Sequence, residues 1–372
     1  MKKAKLFGAG ALALVAALTL AACGNNSKTD GSDAKSGSDA AGSVEKPAAI
    51  ITDTGGVDDR SFNQSAWEGL QAWGKTHDLS KDHGFSYFQS SNESDYAPNI
   101  DTAIAAGYQT IFGVGYKLTA AIVDASAQNP DANFVIIDDV PVDADGNEKI
   151  ADNVSAATFM DNENSYLVGL AAAYTTETNV VGFIGGVEGT VIDRFQAGFE
   201  AGVADGAKAL GKDVEVKIQY AGDFNAPDKG KTIAQGMYAA NADIIFHASG
   251  ATGNGLLQEA KSINESGDKK VWVIGVDRDQ SDEGSYKDPE SGKDANFVLT
   301  STVKGVGTVV EDLAEKANTG EFPGGQHIAY DLKSEAISIT DGQLSDDVLK
   351  AVNEAKDKIV AGDIKVPEAP EK

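Results

Sequence analysis

From residue 48 onward the chain alternates short apolar runs rich in Val, Ile and Phe with longer amphipathic stretches. The runs are AAIITD (48–53), FSYFQS (85–90), TIFGVG (110–115), NFVIIDD (133–139), VVGFIGG (180–186), VEVKIQYAG (214–222), DIIFHAS (243–249) and VWVIGVD (271–277). Runs apolar at every position predict parallel strands buried on both faces. Between them, Phe62, Ala66, Leu70 and Trp73 recur at spacings of three and four, which predicts a helix over 61–76. Stretches 190–210 and 226–241 follow the same period, and further helices are predicted at 304–318 and 345–361. Four strands precede residue 150 and four more fall between 180 and 277, with NVSAATFM (153–160) leading into the second set and NFVLTST (296–302) following it. Strand and helix in alternation give right-handed crossovers. The prediction is an α/β protein of two similar doubly wound lobes between which the chain passes more than once. Lobe 1 would take about 48–155 plus the segments after about 303, and lobe 2 about 160–300. Ligands of such sheets sit beyond the carboxyl ends of the strands, here in the cleft between lobes.

The first 47 residues read differently. Lys2, Lys3 and Lys5 precede an apolar stretch from Leu6 to Leu20, and LAAC closes it at 20–23. This is the layout of a secretory signal, over 1–22, and the apolar run is short for a membrane span. LAAC resembles a bacterial lipobox, which implies cleavage before Cys23 and a lipid on its thiol. Residues 24–47 are Ser, Gly, Asp, Ala and Lys with almost nothing apolar, and such a segment cannot bury enough surface to offset its ordering entropy. A flexible tether is expected over 23–47, with the body displayed outside the cytoplasmic membrane and held there through the lipid alone. This composition fits a Gram-positive surface lipoprotein. Cys23 is the one cysteine in 372 residues, so no internal disulfide can form. The net charge of −26 argues against nucleic acid as a partner, because phosphate binding needs a basic face.

The strand ends carry the candidate chemistry. They bring Asp53, the GVGY turn, Asp138 and Asp139 in the first half, and Phe224, the SGATGNG loop and Asp277 in the second. Lys304 is expected to open the helix after TST. Singly, such residues often cap helices or make turns; together they converge on one edge of two sheets. Several motifs fail. GATGNG (250–255) lacks the dinucleotide order, and no phosphate-binding G-x-x-x-x-G-K-[ST] exists. PVDADGNEKIAD (141–152) places Pro141 where a calcium loop needs an oxygen ligand, and so reads as a surface turn. His77, His83, His247 and His327 are scattered, with no zinc set. No metal or cofactor is expected. DTGGVDD (53–59) resembles the aspartate motif of calcium-dependent nucleoside hydrolases, but Ile51 stands where that family has a further aspartate.

ITDTGGVDDRSFNQSAWEGL, GVGY, FVIID, VGFIGG, FQAGFEAG, YAGDF, SGATGNG and VIGVDRDQ together resemble the basic membrane protein (BMP) family, from about residue 48 to the C-terminus. The resemblance implies a type I periplasmic-binding-protein fold, two lobes joined by three crossovers. It implies a lipoprotein that serves as the solute-binding component of an ABC-type importer, capturing a purine nucleoside (guanosine, adenosine or inosine) for a permease and its ATPase. By that resemblance, base-stacking aromatics fall on Phe62 and Phe224, with Asn63 beside the first. Base contacts fall on Asp53 and on the acid after FVII, Asp138 with Asp139 adjacent, and a ribose-binding set falls on Gly250, Asp277 and Lys304. The chemistry of the residues agrees. Two aromatic faces can sandwich a flat heterocycle, and carboxylates accept strong bonds from ring N–H or hydroxyl groups. Lys304 would donate to ribose oxygen and offset Asp277, while Asp58 and Asp59 would cap the helix at Ser61. A nucleoside hydrolase, or a sugar or autoinducer receptor of the same fold, are the alternative functions.

Overall fold

The computed structural model describes residues 43–371. The signal segment, the lipidation site at Cys23 and the tether up to residue 42 lie outside them.

The first sheet contains β1 (Ala48–Thr52), β2 (Ser80–Lys81), β3 (Gly84–Phe88), β4 (Thr110–Val114), β5 (Asn133–Ile137), β6 (Val154–Phe159) and, from late in the chain, β14 (Gln326–Tyr330). Its order is β14-β6-β5-β4-β1-β3-β2, and every pairing is parallel. Alternate residues of each strand face opposite sides. Ala49, Ile51, Ile111 and Phe134 pack on α2 (Tyr96–Ala105) and α3 (Thr119–Gln128). Ile50, Phe112 and Val135 face the side where α1 (Phe62–Thr76) and α8 (Val306–Thr319) pack together. Both faces are covered, which is why the central strands β1, β4 and β5 are buried along nearly their whole length.

The second sheet has the order β15-β13-β10-β9-β7-β8. Its strands are β7 (Val180–Gly185), β8 (Glu215–Tyr220), β9 (Ile244–Ala248), β10 (Trp272–Gly275), β13 (Val298–Lys304) and β15 (Ile337–Ile339), the last antiparallel to β13. Helices α6 (Pro227–Ala239) and α7 (Gly253–Ser266) cover one face, and α4 (Asp161–Thr175) and α5 (Thr190–Leu210) the other. The polar insert after Asp277 forms the hairpin β11 (Ser285–Lys287) and β12 (Asp294–Asn296).

The chain passes between lobes three times: after β6 at Met160, after β13 at Gly305, and between β14 and β15. Three sequence expectations need correction. The segments after 303 do not all return to lobe 1, because β15 pairs with β13 and α9 (Asp346–Ala361) packs on α4. Lys304 does not open a helix; it is the last residue of β13, and Gly305 precedes α8. The tether does not run to residue 47. Pro47 O accepts from Gln109 N at 2.7 Å and Thr110 N at 3.0 Å, Glu45 N donates to Asn318 Oδ1 at 2.9 Å, and Val44 packs on the core.

Candidate functional site

The loop after β1 is built around two carboxylates. Asp53 Oδ1 accepts from Gly55 N at 3.0 Å and Asn63 Nδ2 at 2.8 Å. Asp59 accepts from Ser61 N at 2.8 Å, Asn63 N at 3.0 Å and Gln64 N at 3.1 Å, and so caps α1 with a charge favoured at a helix N-terminus. Asp58 is exposed and makes no such bond, so the expected double cap is a single one. Asn63 Nδ2 joins the two acids, reaching Asp59 Oδ2 at 3.0 Å, while its Oδ1 is buried without a partner. Burial pushes the Asp53 carboxyl up to about 6, against the lowering effect of the Asn63 and Gly55 bonds. Gly115, at φ 117°, lets the GVGY turn pass so close that a Cβ there would lie 3.2 Å from Asp53 Cβ.

A second group surrounds one buried cation. Lys304 Nζ donates to Asp138 at 2.7 Å and to Asp161 Oδ2 at 3.0 Å. It sits among three rings, 5.3 Å from the Phe62 centroid, 5.0 Å from Phe159 and 5.4 Å from Phe195. Burial opposes the lysine's charge, but Asp138, Asp161 and Asp277 outweigh it and hold its pKa above the ordinary value. Three acids around one cation cannot all be comfortable as anions. Burial pushes Asp161 up to about 7, with Lys304 pulling the other way, and Asp277 up to about 6. The direct partners of Lys304 are therefore Asp138 and Asp161, rather than the expected Asp277. Asp277 instead accepts from the Ser61 hydroxyl of the facing lobe. Asp138 and Asp277 each follow a strand with positive φ, 72° and 66°, which turns their carboxylates inward. Asp139 points elsewhere, accepting from Thr119 Oγ1 at 2.6 Å.

Between the lobes lies a cavity that opens to solvent, the space between protein atoms there amounting to about 560 Å³ with the open solvent included. Asp53, Phe62, Asn63 and Asp138 line it from lobe 1, and Phe224, Gly250, Asp277 and Lys304 from lobe 2, so all eight residues named from the sequence are brought together. The Phe224 ring packs on Gly186, where a Cβ would fall 2.2 Å from it. The sequence assigns Asp59 a capping role and Ser249 only a place in the SGATGNG loop, and it does not point to Phe195 on the wall or Asp161 behind Lys304. Phe195 lies in a helical period that reads as core. Asp161 begins α4 one residue after the strand 154–159 ends, an acid at a strand–helix junction like Asp53, a signal that could have found it.

The pattern of the Bmp family, described as ABC transporter substrate-binding protein PnrA-like, matches residues 46–370. This chain belongs to that family. It is 46% identical over 369 residues to the ABC transporter nucleoside-binding protein BmpA of Lactococcus lactis subsp. cremoris, covering 99% of each chain. It is 49% identical over 374 residues to the CD4+ T-cell-stimulating antigen of Listeria monocytogenes, covering 100% of each. Among solved structures, an ABC transporter solute-binding protein from Aeropyrum pernix K1 superposes with a TM-score of 0.74 at 24% identity, over 87% of this chain and 94% of that one. That likeness shows the fold, a two-lobed type I periplasmic-binding-protein architecture. The protein is thus the solute-binding component of an ABC transporter, working outside the cytoplasm, and a binding component rather than an enzyme. Among the described residues, no helix is long and apolar enough to cross a membrane.

Proposed function

We propose that the protein captures a purine nucleoside such as guanosine, adenosine or inosine between its lobes and hands it to an ABC permease and its ATPase. One observation carries this reading: a cavity between lobes that combines Phe62 and Phe224 with Asp53, Asp138, Asp277 and Lys304. Phe62 from lobe 1 and Phe224 from lobe 2 take the purine between them, each such contact contributing roughly 0.5–1.5 kcal/mol beyond area burial. Asp53, Asn63 and Asp138 receive the base edge, while Gly250, Asp277 and Lys304 hold the ribose. The nucleoside-binding name of the Lactococcus relative supports the choice of ligand. Extraction of the purified body with denaturant, followed by mass spectrometry, should release an intact nucleoside; a bound sugar would replace this reading by another. Calorimetric titration should show Phe62→Ala and Phe224→Ala each weakening binding at least about tenfold, with little change in melting temperature. Unchanged affinity with a large melting shift would make both rings core residues instead.

The anchor is a lipid on Cys23. Metabolic labelling with a radioactive fatty acid should mark the wild type and not Cys23→Ser, and the variant should leave the membrane with its ligand affinity intact. Label on the variant would remove the anchor from the reading.

A further inference from the structure

A line of polar groups runs behind the lobe 2 wall of the cavity. His247, next to the last residue of β9, is fully buried. Its Nε2 lies 3.0 Å from Gln280 Oε1, and its Nδ1 lies 3.3 Å from Ser249 Oγ. The Gln280 amide has two partners whose roles admit no choice. Val276 N donates to Oε1 at 3.0 Å, and Nε2 donates to Arg60 O of the facing lobe at 2.9 Å. Oε1 is therefore an acceptor, and His247 Nε2 must carry the hydrogen that it accepts. Burial keeps the imidazole neutral, pulling its pKa down to about 4. A neutral ring protonated at Nε2 has a bare lone pair at Nδ1, so the Ser249 hydroxyl must donate to it. That hydrogen is the one donor the hydroxyl possesses. Ser249 itself is 1% exposed and lines the cavity beside Gly250.

We propose that Ser249 is an acceptor-only group in the ligand cavity, fixed in that role by His247 and Gln280, and that it selects ligands presenting an N–H or O–H donor at that point. The inference rests on the nucleoside reading for the ligand's identity and on the hydrogen-bond chain for the acceptor role. An ether, a methylated nitrogen or a deoxy position would leave the serine oxygen desolvated and unpaired. A site built around a fixed partner discriminates against such analogues more sharply than an apolar wall does. The donor is either a purine N–H group or a ribose hydroxyl, and both share this chemistry.

Two measurements on the full-length protein test it. Nitrogen-15 spectra of histidine-labelled protein, with His247 assigned by the loss of its signals in His247→Asn, should show the Nε2–H tautomer with and without guanosine. An Nδ1–H tautomer overturns the inference whatever the ligand proves to be. Calorimetry should compare wild type and Ser249→Ala with guanosine, inosine, 1-methylguanosine, and 2′-, 3′- and 5′-deoxyguanosine. Ser249→Ala should weaken guanosine roughly five- to tenfold, the size of one net hydrogen bond. One analogue should already be weaker by that factor in the wild type and lose nothing more in the variant. If inosine or 1-methylguanosine is that analogue, the donor is on the base; if a deoxy compound, on the ribose. Equal losses for every analogue, or no loss at all, overturn the inference. A wild type that binds none of the six removes the proposed ligand class, while the tautomer still decides the acceptor assignment.

Discussion

At the scale of single residues, three buried acids, two of them beside Lys304, tie stability to pH. Asp53, Asp161 and Asp277 keep their protons to about 6, 7 and 6 in the folded protein, against an ordinary value of 3.8. Between pH of about 4 and 7 these three groups therefore bind more protons in the folded state than in the unfolded chain. The stability from these groups is present at low pH and lost as pH rises through their folded values. His247 works in the opposite sense. Its pKa falls from 6.5 to about 4, so its contribution is present above 6.5 and lost as pH drops. Asp161 titrates highest of the set, so Asp161→Asn should flatten the decline between pH of roughly 6 and 7. Urea unfolding midpoints at constant slope, taken across that range, measure it, and an unchanged decline would assign the titration to other groups. Lys304→Met removes the cation from two buried carboxylates and should cost about 3–5 kcal/mol by the same assay. The acids at 53, 138 and 277 are legible in the sequence because each follows a strand, whereas the sequence places the lysine at 304 at the start of a helix and the fold puts it at the end of β13. Asp161 pairs with Lys304 across 143 positions, and no local pattern announces that.

At the scale of elements, the helices were readable from their apolar period, but not how closely they approach. Lobe 2 brings α4 and α5 into backbone contact through glycines. A Cβ on Gly202 would lie 2.0 Å from Tyr166 O, one on Gly198 2.1 Å from Asn162 O, and one on Gly169 2.3 Å from Phe199 O. Lobe 1 repeats the device between α1 and α8, where a Cβ on Gly69 would lie 2.0 Å from Gly307 O. Any side chain at these points pushes a whole helix outward. Gly202→Ala should therefore destabilise by about 1–3 kcal/mol in thermal melts, with ligand affinity of the folded fraction unchanged within about twofold. A neutral substitution would mean that the helices can part without penalty. The same limit explains why β15 and α9 were assigned to the wrong lobe. Their apolar faces are ordinary, and where each one goes is decided by the partner it meets, β13 for β15 and α4 for α9, rather than by anything within them.

At the scale of the molecule, the lobes meet around the cavity. Ser61 donates to Asp277, Asn254 Nδ2 to Asp59 O at 3.3 Å, Asn225 Nδ2 to Thr54 O at 3.2 Å, and Gln280 Nε2 to Arg60 O. At the rim, Arg60 pairs with Glu283, and Arg278 reaches Glu68 at 3.4 Å, one arginine from each lobe. A ligand that touches both sides favours this arrangement over any in which the lobes are apart. Small-angle scattering should show a smaller radius of gyration with saturating guanosine, and an unchanged radius would remove closure from the mechanism. Partly exposed pairs contribute about 0.2–1 kcal/mol each. Glu283→Gln combined with Glu68→Gln should thus weaken guanosine a few-fold, less so in high salt. No change at low salt would show the rim pairs to be incidental.

The sequence by itself determined the alternation of buried strands and amphipathic helices, the duplication into two lobes, and the acids that follow the strands. Each of these depends on periodicity or on a residue's position within its own element, which local chain geometry sets. Tertiary structure decided which of those side chains meet. Asp138 turns into the cavity while Asp139 turns to Thr119, Lys304 chooses Asp138 and Asp161, and Ser249 acquires its role from a histidine and a glutamine behind it. Those choices belong to groups far apart in the chain, and they are made by burial and by the cost of leaving an enclosed charge or donor unpaired.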